Sequence, residues 1–376
     1  MLDQTDPNDL VVESARRFSQ ERLAPTAAAR EKAGRIEPEI IQALSEMGFL
    51  GATNSSEWGG SEIPYEAYAR VIEELAAGDG AVSTLVSVHN APTCEILERF
   101  ATPEQKDRWL RPLAGGGAVG SFALTESGAG SDAASIRTRA VRTNSGYTIN
   151  GSKQFISNAS VGQTTILFAV TDPAAGKKGI SAFVVSNDTP GFSISKVEHK
   201  LGQKASDSCA LNFDEMQVGD DQRIGNEGDG LKIALSTLES GRIGIAAQSV
   251  GMARAALEYA IGYAKERRQF SKPIIEHQAV AFRLVDAKTQ LAAARELTLR
   301  AARLKDAGQP ALEAAAMAKL FASEAAERIC SIAIQTLGGY GYLADYPIER
   351  IARDVRVCQI YEGTSDIQKL ILSRML

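Results

Sequence analysis

Residues 231–268, LKIALSTLESGRIGIAAQSVGMARAALEYAIGYAKERR, decide the fold class. No proline occurs between Pro190 and Pro273, so a helix from about Leu231 to Arg268 meets no breaker. Downstream, Val280, Leu284, Ala287, Leu291 and Ala294 advance by four and three, the stripe of an antiparallel bundle helix. Pro310 and Gly338-Gly339 bound a third helix, and residues 364–376 (TSDIQKLILSRML) form a short last one. Upstream the texture changes. Runs such as SFALTE, IRTRAVRT, TTILFAV, ISAFVVS and CALNF are rich in β-branched and aromatic residues, and Asn-Ser-Gly, Asp-Pro and Thr-Pro-Gly punctuate them. Their spacing predicts a compact antiparallel β domain. Still earlier, VVESARRFSQERLAP, EPEIIQALSEMGFL and Pro64 to Leu75 carry apolar residues at helical spacing, interrupted at Trp58-Gly59-Gly60. The expected class is α+β: an N-terminal helical domain (1–118), a middle β domain (119–224) and a C-terminal helical domain (225–376).

The bulk numbers exclude more than they identify. A net charge of −5 gives no electrostatic footprint for nucleic acid. Cys94, Cys209, Cys330 and Cys358 share no CxxC spacing, and with three histidines no metal site can be written. Scattered thiols, an acidic N-terminus and no apolar run of bilayer length lead to the expectation of a soluble cytoplasmic protein.

Five segments carry candidate chemistry. In Phe122-Ala-Leu-Thr-Glu-Ser-Gly-Ala-Gly-Ser-Asp132, Gly128-x-Gly130-x-x-Ala133 matches the dinucleotide fingerprint in letters, but no helix follows, so a Rossmann reading fails. What remains is either a surface turn or a loop whose amides approach a ligand between the hydroxyls of Thr125 and Ser131. Lys153-Gln-Phe-Ile-Ser157 puts Phe155 and Ser157 on one face of a predicted strand; alone, Phe155 reads as core. Arg267-Arg-Gln-Phe270 with Gln278 reads as a helix end meeting water or as a phosphate site. Gln335 to Gly339, then Tyr340-Gly341-Tyr342, has more glycines than a helix stop needs. Finally, in Ile360-Tyr-Glu-Gly-Thr-Ser-Asp-Ile-Gln368, Ser365-x-x-Gln368 is a capping box. Glu362 therefore precedes a helix N-terminus, where an ordinary acid would serve the dipole.

Taken in order, ESGRIGIAAQSVGMARAALEYA, ERRQF, LGGYGYL and IYEGTSDIQ, with the loop at 122–132, resemble the acyl-CoA dehydrogenase family, in particular its short-chain (butyryl-CoA) type. The resemblance implies an α-β-α fold with a C-terminal four-helix bundle, one FAD per subunit and a homotetramer. Carried over by motif, Phe122, Leu124, Thr125, Gly130 and Ser131 would line the flavin and pyrophosphate, and Phe155, Ile156 and Ser157 would lie against the isoalloxazine. Arg267, Phe270, Gln278, Gln335, Gly338 and Gly339 would reach a neighbouring subunit's FAD. Thr364 and Asp366 would complete the site, and Ser131, Glu239, Arg242 and Gly363 would touch acyl-CoA. Glu362 matches the base of the short- and medium-chain types. Gly241 stands where the isovaleryl and long-chain types carry theirs. Ser127, Phe155, Ser157 and Glu239 replace the commoner proline, tryptophan, threonine and aspartate.

The implied reaction is α,β-dehydrogenation of a short acyl-CoA to the trans-2-enoyl form, with electrons passed to an electron-transferring flavoprotein. Desolvation by substrate is expected to raise the Glu362 pKa against the pull of the helix N-terminus. A short branched acyl-CoA (2-methylbutyryl or isobutyryl) is the alternative substrate. Rival readings are a flavin oxidase and a DNA-binding relative. The latter is expected to carry a basic C-terminal extension, which the sequence up to Leu376 is not expected to supply.

Overall fold

A computed structural model describes residues 6–376; readings that touch the first five, at the start of the acidic N-terminus, lie outside the described residues. Among the described residues eight α-helices come first: α1 (Pro7–Phe18), α2 (Ala27–Ala33), α3 (Pro38–Glu46), α4 (Tyr65–Gly78), α5 (Gly80–Val88), α6 (Glu95–Phe100), α7 (Pro103–Gln105) and α8 (Arg111–Ala114). α4 runs three residues past Leu75, because Ala76 and Ala77 continue its pattern. Asp79 stops it and starts α5, accepting from the N–H groups of Ala81 and Val82.

Eight strands follow: β1 (Gly120–Ala123), β2 (Arg139–Thr143), β3 (Gly146–Ile156), β4 (Thr164–Val170), β5 (Ile180–Ser186), β6 (Phe192–Val197), β7 (Cys209–Gly219) and β8 (Arg223–Ile224). They form one sheet in the order β6-β7-β3-β2-β4-β5-β8, with β1 also beside β4. The sheet departs from the antiparallel expectation where β1 and β2 each run parallel to β4. The loop between β1 and β2 is too long for a hairpin turn, so β1 pairs elsewhere. β4 and β5 are buried on both faces. Ile166, Phe168 and Val184 pack with Leu97, Leu110 and Leu113 of the first helices. Leu167, Phe183 and Val185 pack with Tyr147, Leu211 and Phe213. Period-two alternation thus serves two cores at once.

Three long helices, α9 (Gly230–Glu266), α10 (Gln278–Asp306) and α11 (Leu312–Leu337), then pack together, with the short α12 (Pro347–Val355) and α13 (Ser365–Ser373) against α11. α9 ends two residues before the expected Arg268. Its middle, Ser240 to Ala253, is buried on every side, because α4, α5, α10 and α11 all lie against it.

The three parts meet in a buried polar chain. Tyr361 donates its hydroxyl to Gln248 Oε1 on α9. Gln248 Nε2 donates to Thr84 Oγ1 (2.6 Å) and Ser83 Oγ (2.7 Å) on α5. Thr84 Oγ1 donates to Gln203 Oε1 at 2.5 Å, and the Gln203 N–H meets Asp354 of α12. The segment just before Glu362 is therefore tied to the helical and β parts alike.

Candidate active site

After α12 a 3₁₀ turn (Arg356–Gln359) leads into the loop 360–364. Here Glu362 has φ +54° and Gly363 φ +88°. A left-handed glutamate costs about 1–3 kcal/mol and persists only where its surroundings impose it. The carbonyls of both residues are held from inside. Gln368 Nε2 donates to Glu362 O (3.2 Å) and Gly363 O (2.8 Å), and Lys319 Nζ, from α11, donates to Gly363 O at 2.6 Å. The capping box read at Ser365-x-x-Gln368 is not formed. Thr364 is the N-cap, its Oγ1 accepting from the Ile367 N–H at 3.3 Å. The Gln368 side-chain amide is spent instead on the carbonyls of Glu362 and Gly363. Thr364→Ala should therefore speed amide exchange across α13 about fivefold, the equivalent of a lost cap of about 1 kcal/mol; hydrogen-exchange mass spectrometry measures it.

The Glu362 carboxylate lies on α9 at Gly241. A Cβ built on Gly241 would stand 2.7 Å from Glu362 Oε2 and 3.0 Å from its Cδ, so only glycine leaves this room. Glu362 as a residue is half-buried, yet its Oε2 is fully buried and has no hydrogen-bond partner. Ser240 Oγ and the Arg242 Nε and Nη1 are also buried and unpartnered. Buried polar atoms are normally paired, so unpaired ones on both sides of Gly241 make this face of α9 the candidate ligand site. Burial pushes the Glu362 carboxyl up to about 7, against the pull of Arg242 and, less strongly, Lys319. Burial likewise lowers the Arg242 guanidinium, with Glu362 and Glu239 opposing, and it raises the Glu239 carboxyl.

A second group of predicted residues gathers around the end of β1. Glu126 and Ala129 exchange backbone hydrogen bonds of 3.2 and 3.0 Å, making a tight turn over Ser127 and Gly128. A Cβ on Gly128 or Gly130 would meet nothing within 4 Å, so the loop faces open space. Its base is locked by the buried Lys153. Lys153 Nζ donates to Leu124 O (2.9 Å) and Glu126 Oε1 (2.8 Å), while Glu126 also accepts from the N–H groups of Arg137 and Thr138. Gln154 N donates to Thr125 O at 2.8 Å, which brings the end of β3 beside the loop.

Phe155 is not core: its ring is 62% exposed and its φ is +61°. The register against β7 slips between Lys153 and Ile156, and Ser157 lies past the end of β3. The two side chains are thus not a regular same-face pair. The buried Asn158, also left-handed, drives this turn by donating to Leu85 O and Gly120 O.

A third group sits elsewhere. Arg267 is 26 residues beyond Gly241 on α9, roughly 39 Å along the axis at 1.5 Å per residue. It lines a groove of about 540 Å³ with Leu337, Gly338, Gly339 and Tyr340, and its guanidinium lies 5.7 Å from the Tyr340 ring. Phe270, 89% exposed, and the exposed Gln278 and Gln335 flank this end of the bundle. None of them can face the Glu362 carboxylate of the same chain. Asp366 is exposed on the first turn of α13.

Sequence reasoning missed Lys319, the true role of Gln368 and the Lys153–Glu126 lock. One signal was available for Lys319: it is a lone charge among Ala315, Ala318 and Ala322 on a buried helix face.

A carboxylate with a buried, unpartnered oxygen on a long bundle helix, in a chain that also carries an open glycine loop at the end of β1, makes Glu362 the candidate catalytic group. Comparison with known proteins gives the family. Residues 5–117, 121–216 and 228–376 match the N-terminal, middle and C-terminal domains of acyl-CoA dehydrogenases. The chain is 41% identical to the short-chain specific acyl-CoA dehydrogenase of Clostridium acetobutylicum over 369 residues, 98% of this chain and 97% of that one. It superposes on butyryl-CoA dehydrogenase from Megasphaera elsdenii with a TM-score of 0.97 at 39% identity, covering 100% of this chain and 99% of that one. A chain in the structure described as the electron transferring flavoprotein of Acidaminococcus fermentans matches at 0.97 and 40%, with the same coverage. This protein belongs to the acyl-CoA dehydrogenase family of oxidoreductases.

Proposed function

We propose that this enzyme oxidises a short straight-chain acyl-CoA, butyryl-CoA first, to the trans-2-enoyl-CoA, with Glu362 as the base. The observation that carries this reading is the Glu362 carboxylate, its Oε2 buried and unpartnered against Gly241, beside the unpartnered Nε and Nη1 of Arg242. A thioester α proton is too weakly acidic to leave unaided, so its removal needs a base whose pKa lies near the working pH. Glu362 meets that need. Among the described residues no hydrogen bond takes up its own N–H, which leaves that donor for the thioester oxygen as negative charge develops there. Arg242, Glu239, Ser131 and Gly363 would contact the acyl-CoA.

The open positions at Gly128 and Gly130 and the exposed Phe155 ring fit a flat cofactor carrying a pyrophosphate. Phe122, Leu124, Thr125, Gly130, Ser131 and Phe155 to Ser157 would hold FAD, completed by Thr364 and Asp366. FAD, when bound, supplies the acceptor for the β hydride. Arg267, Phe270, Gln278, Gln335, Gly338 and Gly339 would reach the FAD of a neighbouring subunit in a homotetramer, a reading supported by the solvent-facing Phe270. The domains would divide at 118/119 and 224/225, the protein would work in the cytoplasm, and an electron-transferring flavoprotein would take its electrons.

Anaerobic bleaching of the purified yellow protein by a ladder of acyl-CoA esters tests the reading. Fastest bleaching by butyryl-CoA is expected; no bleaching by any ester would sink it, and a preference for isobutyryl-CoA would move the substrate. The pH dependence follows from the raised carboxyl. Glu362 accepts a proton only when ionised, so kcat/KM should rise with pH through about 7 and fall about tenfold per unit below it. A profile still flat at pH 5 would contradict the assignment.

A further inference from the structure

We infer that Lys319 and Gln368 are positioning residues for Glu362, clamping the carbonyls of the Glu362–Gly363 turn from α11 and α13 so that the base keeps its left-handed conformation. The inference deepens the reading of Glu362 as the base. Without the two side chains, the part-buried carbonyls of Glu362 and Gly363 would lose these donors. A left-handed glutamate would relax toward the ordinary backbone regions, taking its carboxylate away from Gly241. The clamp therefore holds both the carboxylate on α9 and the direction of the free N–H.

Lys319 does more than cap. A neutral amide like that of Gln368 is enough to satisfy a carbonyl, whereas a fully buried ammonium is costly to keep. The charge has a target. The groups that bear on Glu362 are Arg242 of α9 and Lys319 of α11, both cationic. Facing Lys319 are Cys358 of the preceding 3₁₀ turn, a thiol that burial keeps protonated, and the charged groups Glu362 and Arg242. Glu239 bears on Arg242 from the same face of α9. Burial lowers the Lys319 ammonium to about 8, so it is still cationic at neutral pH. Two cations from different helices thus oppose the cost of desolvating the carboxylate, and Lys319 reaches it through the turn that it also holds in shape.

Two variants separate charge from geometry. Lys319→Met keeps the stem and removes both charge and donor; Gln368→Leu keeps the charge and removes the other donor. Carbon-13 NMR of protein labelled at the glutamate δ carbon follows the Glu362 carboxyl without any substrate, its signal assigned by loss in Glu362→Gln. Its titration should move up by about one pH unit in Lys319→Met and hold in Lys319→Arg. Gln368→Leu, which loosens the turn but keeps the Lys319 charge, should not raise the titration and should lower kcat about tenfold with KM little changed.

An unshifted titration in Lys319→Met, whether or not its melting temperature falls, makes Lys319 a structural cap and overturns the electrostatic half. Wild-type kcat in Gln368→Leu overturns the clamp, and this arm stands even where Lys319→Met does not accumulate as folded protein. A wild-type enzyme that no acyl-CoA bleaches, yet whose Glu362 titration moves with Lys319, sinks the proposed reaction and leaves the electrostatic coupling intact.

Discussion

Glu362→Gln should retain its FAD and its fold while acyl-CoA bleaches it about 10²–10⁴-fold more slowly, the range that a positioned general base contributes. The substitution exchanges one oxygen for an amide in a space that Gly241 leaves open, so packing is preserved. Nothing nearby can take over. Gly241 removes the side chain at the point on α9 that meets the Glu362 carboxylate, and Glu239 lies half a turn back. Tyr361 and Cys358 are held protonated by burial. The loop 122–131 is fixed by Lys153 and Glu126 rather than by Glu362, so flavin content should not change. Stopped-flow absorbance of the flavin band under anaerobic conditions measures the loss. Bleaching at the wild-type rate would remove Glu362 from the mechanism.

Gly241→Ala separates activity from stability in a way few substitutions do. Alanine is favoured over glycine inside a helix by up to about 1 kcal/mol, so α9 itself should be no less stable. The added methyl, however, would stand 2.7 Å from Glu362 Oε2 and must push the carboxylate off its place. A displacement of about 1 Å at a reacting group costs roughly 10²-fold in rate. The expected outcome is therefore kcat reduced about two orders of magnitude with an unchanged or higher melting temperature. A fully active Gly241→Ala would mean that the carboxylate works from a position away from α9.

Much of this was legible before any coordinates. The proline-free run through α9, the β-branched runs of β4 and β5 and the break at Trp58 each declare an element, because local periodicity and breakers act within a few residues. Where the readings slipped, a longer-range contact had overridden a local pattern. β1 left the antiparallel order because its loop is long, and Phe155 left the core because Asn158 turns the chain toward α5. Thr364 took the cap from Ser365 because Gln368 was drawn inward.

The glutamate before the last helix, its glycine-rich surroundings and the order of motifs were determined by the sequence alone, since each is a matter of residue type and spacing. That Glu362 Oε2 is buried and unpartnered, that its carboxylate rests on a glycine of α9, and that Lys319 stands behind it were decided only by the tertiary structure. Glu362 lies 121 residues from Gly241 and 43 from Lys319 in the chain. Burial and field are sums over neighbours brought together by folding, and no local pattern encodes them.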